Sequence, residues 1–277
     1  MDPARTEAVN APPIANDQTA RANRKQRYSI WVLRHLLGGS SAEAIIRALG
    51  FSQIRSFYYS ALERRAYLWA EGKRTPKDSV TYYEFGVGWG GSLSRYLEAL
   101  AAFSKDSRHD FLGGSKTVLF DSFEGLPPTS RIEDVNPHWT EGKFAHGVDE
   151  IKRTIKMNCH VDIDSHSDNY RFVKGFYEVT LTPELRDELR NTGPDIITID
   201  CDYYTSTKTA LDWLRPLLSP GCLFYFDDVW AYDGDPRRGE LRAINEFNAH
   251  GKGVLTPLPL NPYLAGQVYI YSSSEST

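Results

Sequence analysis

From Tyr28 to about Ala70 apolar residues recur at helical spacing, and they then give way to short, nearly uninterrupted apolar runs separated by helical stretches. Ile30, Leu33 and Leu37, then Ile45, Ile46 and Leu49, mark two helices, with Ser40 or Ser41 as a cap and Gly50 as a stop. A third helix is predicted from about Ser52 to Ala70. It carries Phe57, Tyr58, Leu62, Tyr67, Leu68 and Trp69, an apolar load suited to packing on a sheet or a partner subunit. Strands follow at Thr81 onward, Thr117 to Phe120, Tyr170 to Phe176, Ile196 to Ile199 and Cys222 to Phe226, with helices between them. The run Ile196 to Ile199 has no polar alternation beyond a threonine, as expected of a parallel strand covered on both faces. After a helix holding Leu241, Ile244 and Phe247, two strands at about Val254 to Leu258 and Gln267 to Tyr271 follow without a helix between them, which implies an antiparallel hairpin. The expected fold is therefore α/β, a doubly wound, mostly parallel, seven-stranded sheet, Rossmann-like, with an N-terminal helical extension.

Three divisions follow. Residues 1–25, rich in Ala, Pro, Asn and charge and without periodicity, read as a disordered tail; 26–78 form the helical extension; 79–273 form the main domain. Within the last, residues 127–147 contain prolines and no period, and suit a lid over a site better than a core element.

The chemistry begins at Thr81 to Arg95, where a strand runs through Gly86, Gly88, Gly90 and Gly91 into a helix start at Ser92. Glycines there let a backbone approach a nucleotide-like ligand. The stretch has no Gly-Lys-Ser/Thr, and Glu84 would repel a pyrophosphate but suit a cationic ligand, which argues against ATP. The order acid, any residue, Gly, any residue, Gly after a strand resembles the first motif of class I S-adenosylmethionine (SAM) methyltransferases. That resemblance places Glu84 near the amino-acid end of the cofactor.

Composition narrows the field. The net charge is −4, from 32 basic and 36 acidic residues, so neither a nucleic-acid nor a membrane-surface partner is indicated. Cys159, Cys201 and Cys222 are odd in number and lack Cys-x-x-Cys spacing, which reads as free thiols in a reducing compartment. No apolar run approaches a membrane span and no apolar h-region opens the chain, so a cytoplasmic location is expected. The N-terminal helices leave a homo-oligomer open. His138 and His146 read as surface residues, since no second histidine stands at a metal-binding spacing.

A sharper resemblance arises further on. Asp121-Ser-Phe-Glu-Gly-Leu-Pro127 is similar to the second signature of the macrocin O-methyltransferase family, which methylates sugar hydroxyls of antibiotics and related products. By that resemblance Asp121 contacts the cofactor ribose, with Ser122 and Phe123 beside it. Glu84 and Asp121 stand 37 residues apart, more than the roughly 20 usual for a ribose acid, and the polar insert around Ser104 to Ser115 accounts for the excess. Trp139, Gly142 and Phe144 resemble the family's lid segment, and Val173-Lys-Gly-Phe-Tyr-Glu178 also resembles the family. Asp200-Cys-Asp-Tyr-Tyr-Thr-Ser-Thr207 resembles its D-x-D-x-Y-x-S-T pattern, with Cys201 in place of the usual glycine.

The strand before Asp200 and the strand before Asp227 and Asp228 are consecutive, and as neighbours they bring three or four carboxylates to one sheet edge. Like charges that close need a cation, and aspartates without His or Cys select a hard, oxygen-loving one such as Mg²⁺. The resemblance makes Asp200, Asp227 and Asp228 the metal ligands and Asp202 the general base. It covers roughly residues 80 to 250 and implies a metal-dependent SAM O-methyltransferase acting on a glycosylated small molecule or glycan. Two other readings stand beside it: a catechol-type cation-dependent O-methyltransferase, and a non-catalytic SAM-fold interaction module.

Overall fold

The computed structural model describes residues 53–70, 80–106, 115–128, 131–258 and 266–273. The predicted tail, the two helices before residue 50 and residues 71–79 lie outside the described residues, as does any oligomer contact through them.

Seven strands form one sheet: β1 (Thr81–Phe85), β2 (Lys116–Asp121), β3 (Tyr170–Lys174), β4 (Ile196–Ile199), β5 (Leu223–Phe226), β6 (Val254–Pro257) and β7 (Gln267–Ser272). Their order is β3-β2-β1-β4-β5-β7-β6. The first five are parallel, and β7 runs antiparallel between β5 and β6, which is the predicted hairpin. Every residue of β1, β4 and β5 is buried, so these strands can be apolar on both faces.

One face carries α1 (Gln53–Ala70), α2 (Gly91–Asp106) and α3 (Val148–Cys159); the other carries the short helices α4 (Tyr177–Thr180) and α5 (Pro183–Glu188), then α6 (Tyr204–Leu214) and α7 (Gly239–Ala249). Alternation along the strands divides the core accordingly. Tyr82, Leu119, Ile196 and Tyr225 meet the first layer, and Phe85, Phe120, Ile199, Phe224 and Phe226 meet the second. Phe85 and Phe120 stack at 4.3 Å between ring centres, at equivalent positions of neighbouring strands.

Helix α1 belongs to this core. Tyr58 and Leu62 are fully buried, Tyr58 meets the rings of Tyr82 and Tyr96 edge-on, and Tyr67 on the opposite face is exposed. A buried pair between Arg65 and Asp195, at 3.2 Å, joins the helix to the start of β4, and Asp195 also accepts from the Thr81 N–H at the start of β1. The aromatic load of this helix is therefore largely spent on the sheet.

Two boundaries differ from expectation. The apolar pattern predicts a helix over Thr209 to Leu218, but α6 begins at Tyr204, and its last turn is a 3₁₀ turn at Arg215–Leu217 where Pro216 interrupts it. Strand β3 ends at Lys174, because Gly175 at φ 135° turns the chain into α4. Thr182 caps α5, accepting from the Leu185 N–H, with Pro183 in the first turn.

Candidate active site

The parallel register sets the carboxyl edge. Phe85 pairs with Phe120 and Ile199, and Ile199 pairs with Phe226, so Gly86, Asp200 and Asp227 directly follow β1, β4 and β5, and Asp121, the last residue of β2, stands level with them. Ligand sites of open α/β sheets lie at this edge.

The four glycines of the first loop serve different ends. Gly86, at φ 83°, lies where a Cβ would fall 1.8 Å from the carbonyl oxygen of Asp200, so its bareness serves the packing of β1 on β4. At Gly90 a Cβ would meet Ile151 of α3 at 3.2 Å, and at Gly91 it would meet the Trp89 ring. Gly88, at φ 50°, faces open space, with nothing within 4 Å of the Cβ it lacks. Only Gly88 has the geometry of a position kept clear for a ligand. Ser92, the second residue of α2, is buried.

Glu84 lies beneath the loop with no exposed surface. Its Oε2 accepts from the Tyr82 hydroxyl at 2.7 Å, and that hydroxyl lies 3.1 Å from both the Thr198 and the Tyr58 hydroxyls. Burial pushes the carboxyl up to about 8, although the Tyr82 hydrogen bond pulls it down. Asp121 holds the loop from the next strand: Oδ2 accepts from the Val87 and Gly88 N–H groups at 2.7 and 3.2 Å, and Oδ1 from the Phe123 N–H at 2.6 Å. Ser122 closes the following turn onto the Gly125 carbonyl, and Phe123 packs on Phe172 of β3.

Across the edge, one carboxylate oxygen from each of Asp200, Asp227 and Asp228 lies within 4.8 Å of the others. Asp202 adopts φ 60° in a tight turn closed by the Tyr203 N–H on the Cys201 carbonyl, and its carboxyl comes close enough to Asp228 to share a proton. Cys201 has no positive φ, and its buried Sγ contacts the Phe85 carbonyl and the Tyr177 hydroxyl, so the backbone here does without the glycine of the motif. Burial first, and then the neighbouring Asp227 and Asp228 charges, push Asp200 well above the usual carboxylate range. Burial and Asp227 push Asp202 to about 7, against the charge of Lys143.

A fifth acid, Glu240, stands behind the cluster. Fully buried, it accepts from the Asp228 N–H at 2.9 Å through Oε2, while Oε1 is buried without a hydrogen-bond partner. Among the described residues no Lys, Arg or His makes an ion pair with any of these five acids. An all-oxygen donor set, negative in excess and without an ion pair among the described residues, fits a hard divalent cation. His146 instead bonds Glu150 at 3.0 Å, and His138 is exposed.

The segment after Asp121 folds over the same edge. Leu126 exchanges backbone hydrogen bonds with Gly142 and Lys143, closing the loop at its base. Asp134, fully buried, accepts from the N–H and hydroxyl of Thr205 in the first turn of α6, at 3.2 and 2.6 Å. Trp139 packs edge-on against Tyr203 and Tyr232. Motif and periodicity gave no sign of Asp134, Glu240 or the tyrosines under the edge; the spacing of Tyr82 to Glu84 and Tyr225 to Asp227 is the one signal that could have found the latter.

Among known proteins, a 4′-O-methyltransferase of 8-demethyl-8-(2,3-dimethoxy-α-L-rhamnosyl)-tetracenomycin C from Streptomyces olivaceus is 27% identical over 150 residues, 52% of this chain and 51% of its own length. The chain thus spans about half the length of that curated relative. The fold is similar to the calicheamicin methyltransferase CalS11, with a TM-score of 0.55 at 20% identity over 100% of both chains, and to the O-methyltransferase NovP, with 0.54 at 18% over 79% of both. The model of the Macrocin-O-methyltransferase (TylF) family matches residues 80–258, from the foot of β1 to the hairpin and so across the whole acid-lined edge, and the chain belongs to that family.

Proposed function

We propose that the protein transfers a methyl group from SAM to a hydroxyl of a glycosylated small molecule, with Mg²⁺ or a similar cation at Asp200, Asp227 and Asp228. The observation that carries this reading is the convergence of those three carboxylates within 4.8 Å at the strand edge beside the glycine loop. A sugar acceptor is favoured by the rhamnosyl substrate in the name of the Streptomyces relative.

When bound, SAM supplies the electrophilic methyl group, and the cation lowers the pKa of a chelated hydroxyl. The chain's own residues do the rest. Asp202, next to the metal ligands and held by its turn, would accept the proton of the acceptor hydroxyl as general base. Glu84, Asp121 and Gly88 shape the cofactor loop, with Ser122 and Phe123 at its far side. Residues 127–147 close over the acceptor, Trp139 against Tyr203 and Tyr232, and exclude water.

The test is methyl transfer from labelled SAM to a panel of rhamnosylated aglycones and free catechols, with and without EDTA. Sugar methylation should vanish in EDTA while S-adenosylhomocysteine (SAH) still binds. Asp202→Asn should lose about 10² to 10⁴ in rate, a usual general-base contribution. Full activity in EDTA with Asp227→Asn would overturn the metal role. Labelling of catechols alone would favour the catechol reading, and binding without turnover on any acceptor a non-catalytic module.

A further inference from the structure

Two strands of the sheet end in the same side-chain device. On β1 the Tyr82 hydroxyl donates to Glu84 at 2.7 Å, and on β5 the Tyr225 hydroxyl donates to Oδ1 of Asp227 at 2.5 Å. Residues i and i+2 share a face of a strand, so a tyrosine two places before a terminal acid sets its hydroxyl directly beneath that acid.

At Tyr225 the surroundings are built around the hydroxyl. The side chain is 1% exposed, and its ring packs against Phe57 of α1 at 5.9 Å. Gly266, just before β7, is buried, and a Cβ there would fall 2.4 Å from the Tyr225 oxygen and 2.7 Å from the Phe226 carbonyl. Its φ is not in the left-handed region, so the bare position answers to space and not to backbone conformation. On the opposite side of β5, Glu240 fixes the backbone between the two acids through the Asp228 N–H.

We propose that Tyr225 is a positioning residue for the divalent cation: its phenol holds Oδ1 of Asp227, fixes the plane of the carboxylate and leaves Oδ2 for the ion. This rests on the metal reading above and extends it to a residue that touches no reactant. The physical need is specific. A small hard cation demands near-octahedral geometry and takes single oxygens from its carboxylates, so a ligand free to rotate or to offer both oxygens binds it less well. Partners that hydrogen-bond a metal ligand from behind are typically worth about 10- to 100-fold in metal affinity.

The experiment is Mn²⁺ binding to the full chain, followed by the loss of the free-ion EPR signal, with SAH binding measured separately by calorimetry. Tyr225→Phe removes one buried oxygen and keeps the ring. It should weaken Mn²⁺ binding about 10- to 100-fold and leave SAH binding unchanged. In an Asp227→Ala background the same change should have no further effect, because the carboxylate it positions is gone. Gly266→Ala, which displaces the hydroxyl and leaves the tyrosine in place, gives a second route and should also weaken Mn²⁺ binding. Unaltered Mn²⁺ affinity in folded Tyr225→Phe, with the wild type binding the ion, overturns the positioning role alone. Failure of the wild type to bind Mn²⁺ while binding SAH overturns the metal reading, and this role with it.

Discussion

A carboxyl group without exposed surface titrates where its neighbours allow, and Glu84 is the clearest case outside the aspartate cluster. Burial lifts it from 4.5 to about 8; Asp121 adds to the lift, while the Tyr82 hydroxyl, the Leu93 N–H and Arg95 oppose it. Below the unfolded value both states hold the proton and the group costs nothing by ionisation. Between about 4.5 and 8 the unfolded chain releases its proton first, so stability falls as pH rises, by at most about 1.4 kcal/mol per pH unit. Glu84→Gln should therefore flatten the fall in melting temperature between pH 5 and 8 relative to wild type. An unchanged slope would assign the fall to other acids. Beside it, Gly88→Val should abolish SAH binding, because the branched side chain enters open space and φ 50° is hostile to it. Gly86 could not be told from Gly88 in the sequence: both are loop glycines, and only the Asp200 carbonyl at one and open space at the other separate packing from ligand clearance.

At the scale of elements, the start of α6 shows why one boundary escaped the sequence. Its N-cap residue, Tyr203, makes no side-chain cap, so the usual Ser, Thr, Asp or Asn signal is missing. The cap comes from Asp134, 71 residues earlier in the chain, which takes the Thr205 N–H. Strands β4 and β5, by contrast, were legible because a parallel strand covered on both faces needs an apolar run and little else. The same Asp134 contact ties residues 127–147 to the turn that carries Asp202. Arg238 on the Val135 carbonyl at 2.7 Å, and Arg242 near Glu133 at 3.5 Å, are weaker, more exposed ties. Asp134→Ala should cost about 0.5–2 kcal/mol, the usual worth of a helix cap. It should also speed limited proteolysis within 127–147 and raise the acceptor KM, with SAH affinity retained. Proteolysis at the wild-type rate would mean that the base pairing of Leu126 with Gly142 and Lys143 holds the segment by itself.

For the molecule as a whole, the mostly parallel seven-stranded sheet, the terminal hairpin and the convergence of the aspartates follow from apolar runs joined by crossover helices, which is why they could be read in advance, whereas the strand order could not. What could not be read is the support behind the edge. Tyr58, Tyr82, Thr198 and Tyr225 come from α1, β1, β4 and β5, and Glu240 from α7, so their placement around the edge is a property of tertiary packing. This arrangement puts the glycine loop, the proposed cofactor site, on β1 and β2 and the acid cluster on β4 and β5, two neighbouring but separate halves of one edge. Ligands at separate sites should stabilise the fold independently, each by about 2.7 kcal/mol at 100 times its dissociation constant. At roughly 2–4 °C per kcal/mol for a domain of this size, that is a shift of about 5–10 °C in Tm. Thermal melts should show a shift with SAH that EDTA does not touch, and a shift with Mg²⁺ that Asp227→Asn removes. The two together should give nearly the sum. If Asp227→Asn also removes the SAH shift, the two halves act as one unit, and the division of labour between cofactor loop and acid cluster is wrong.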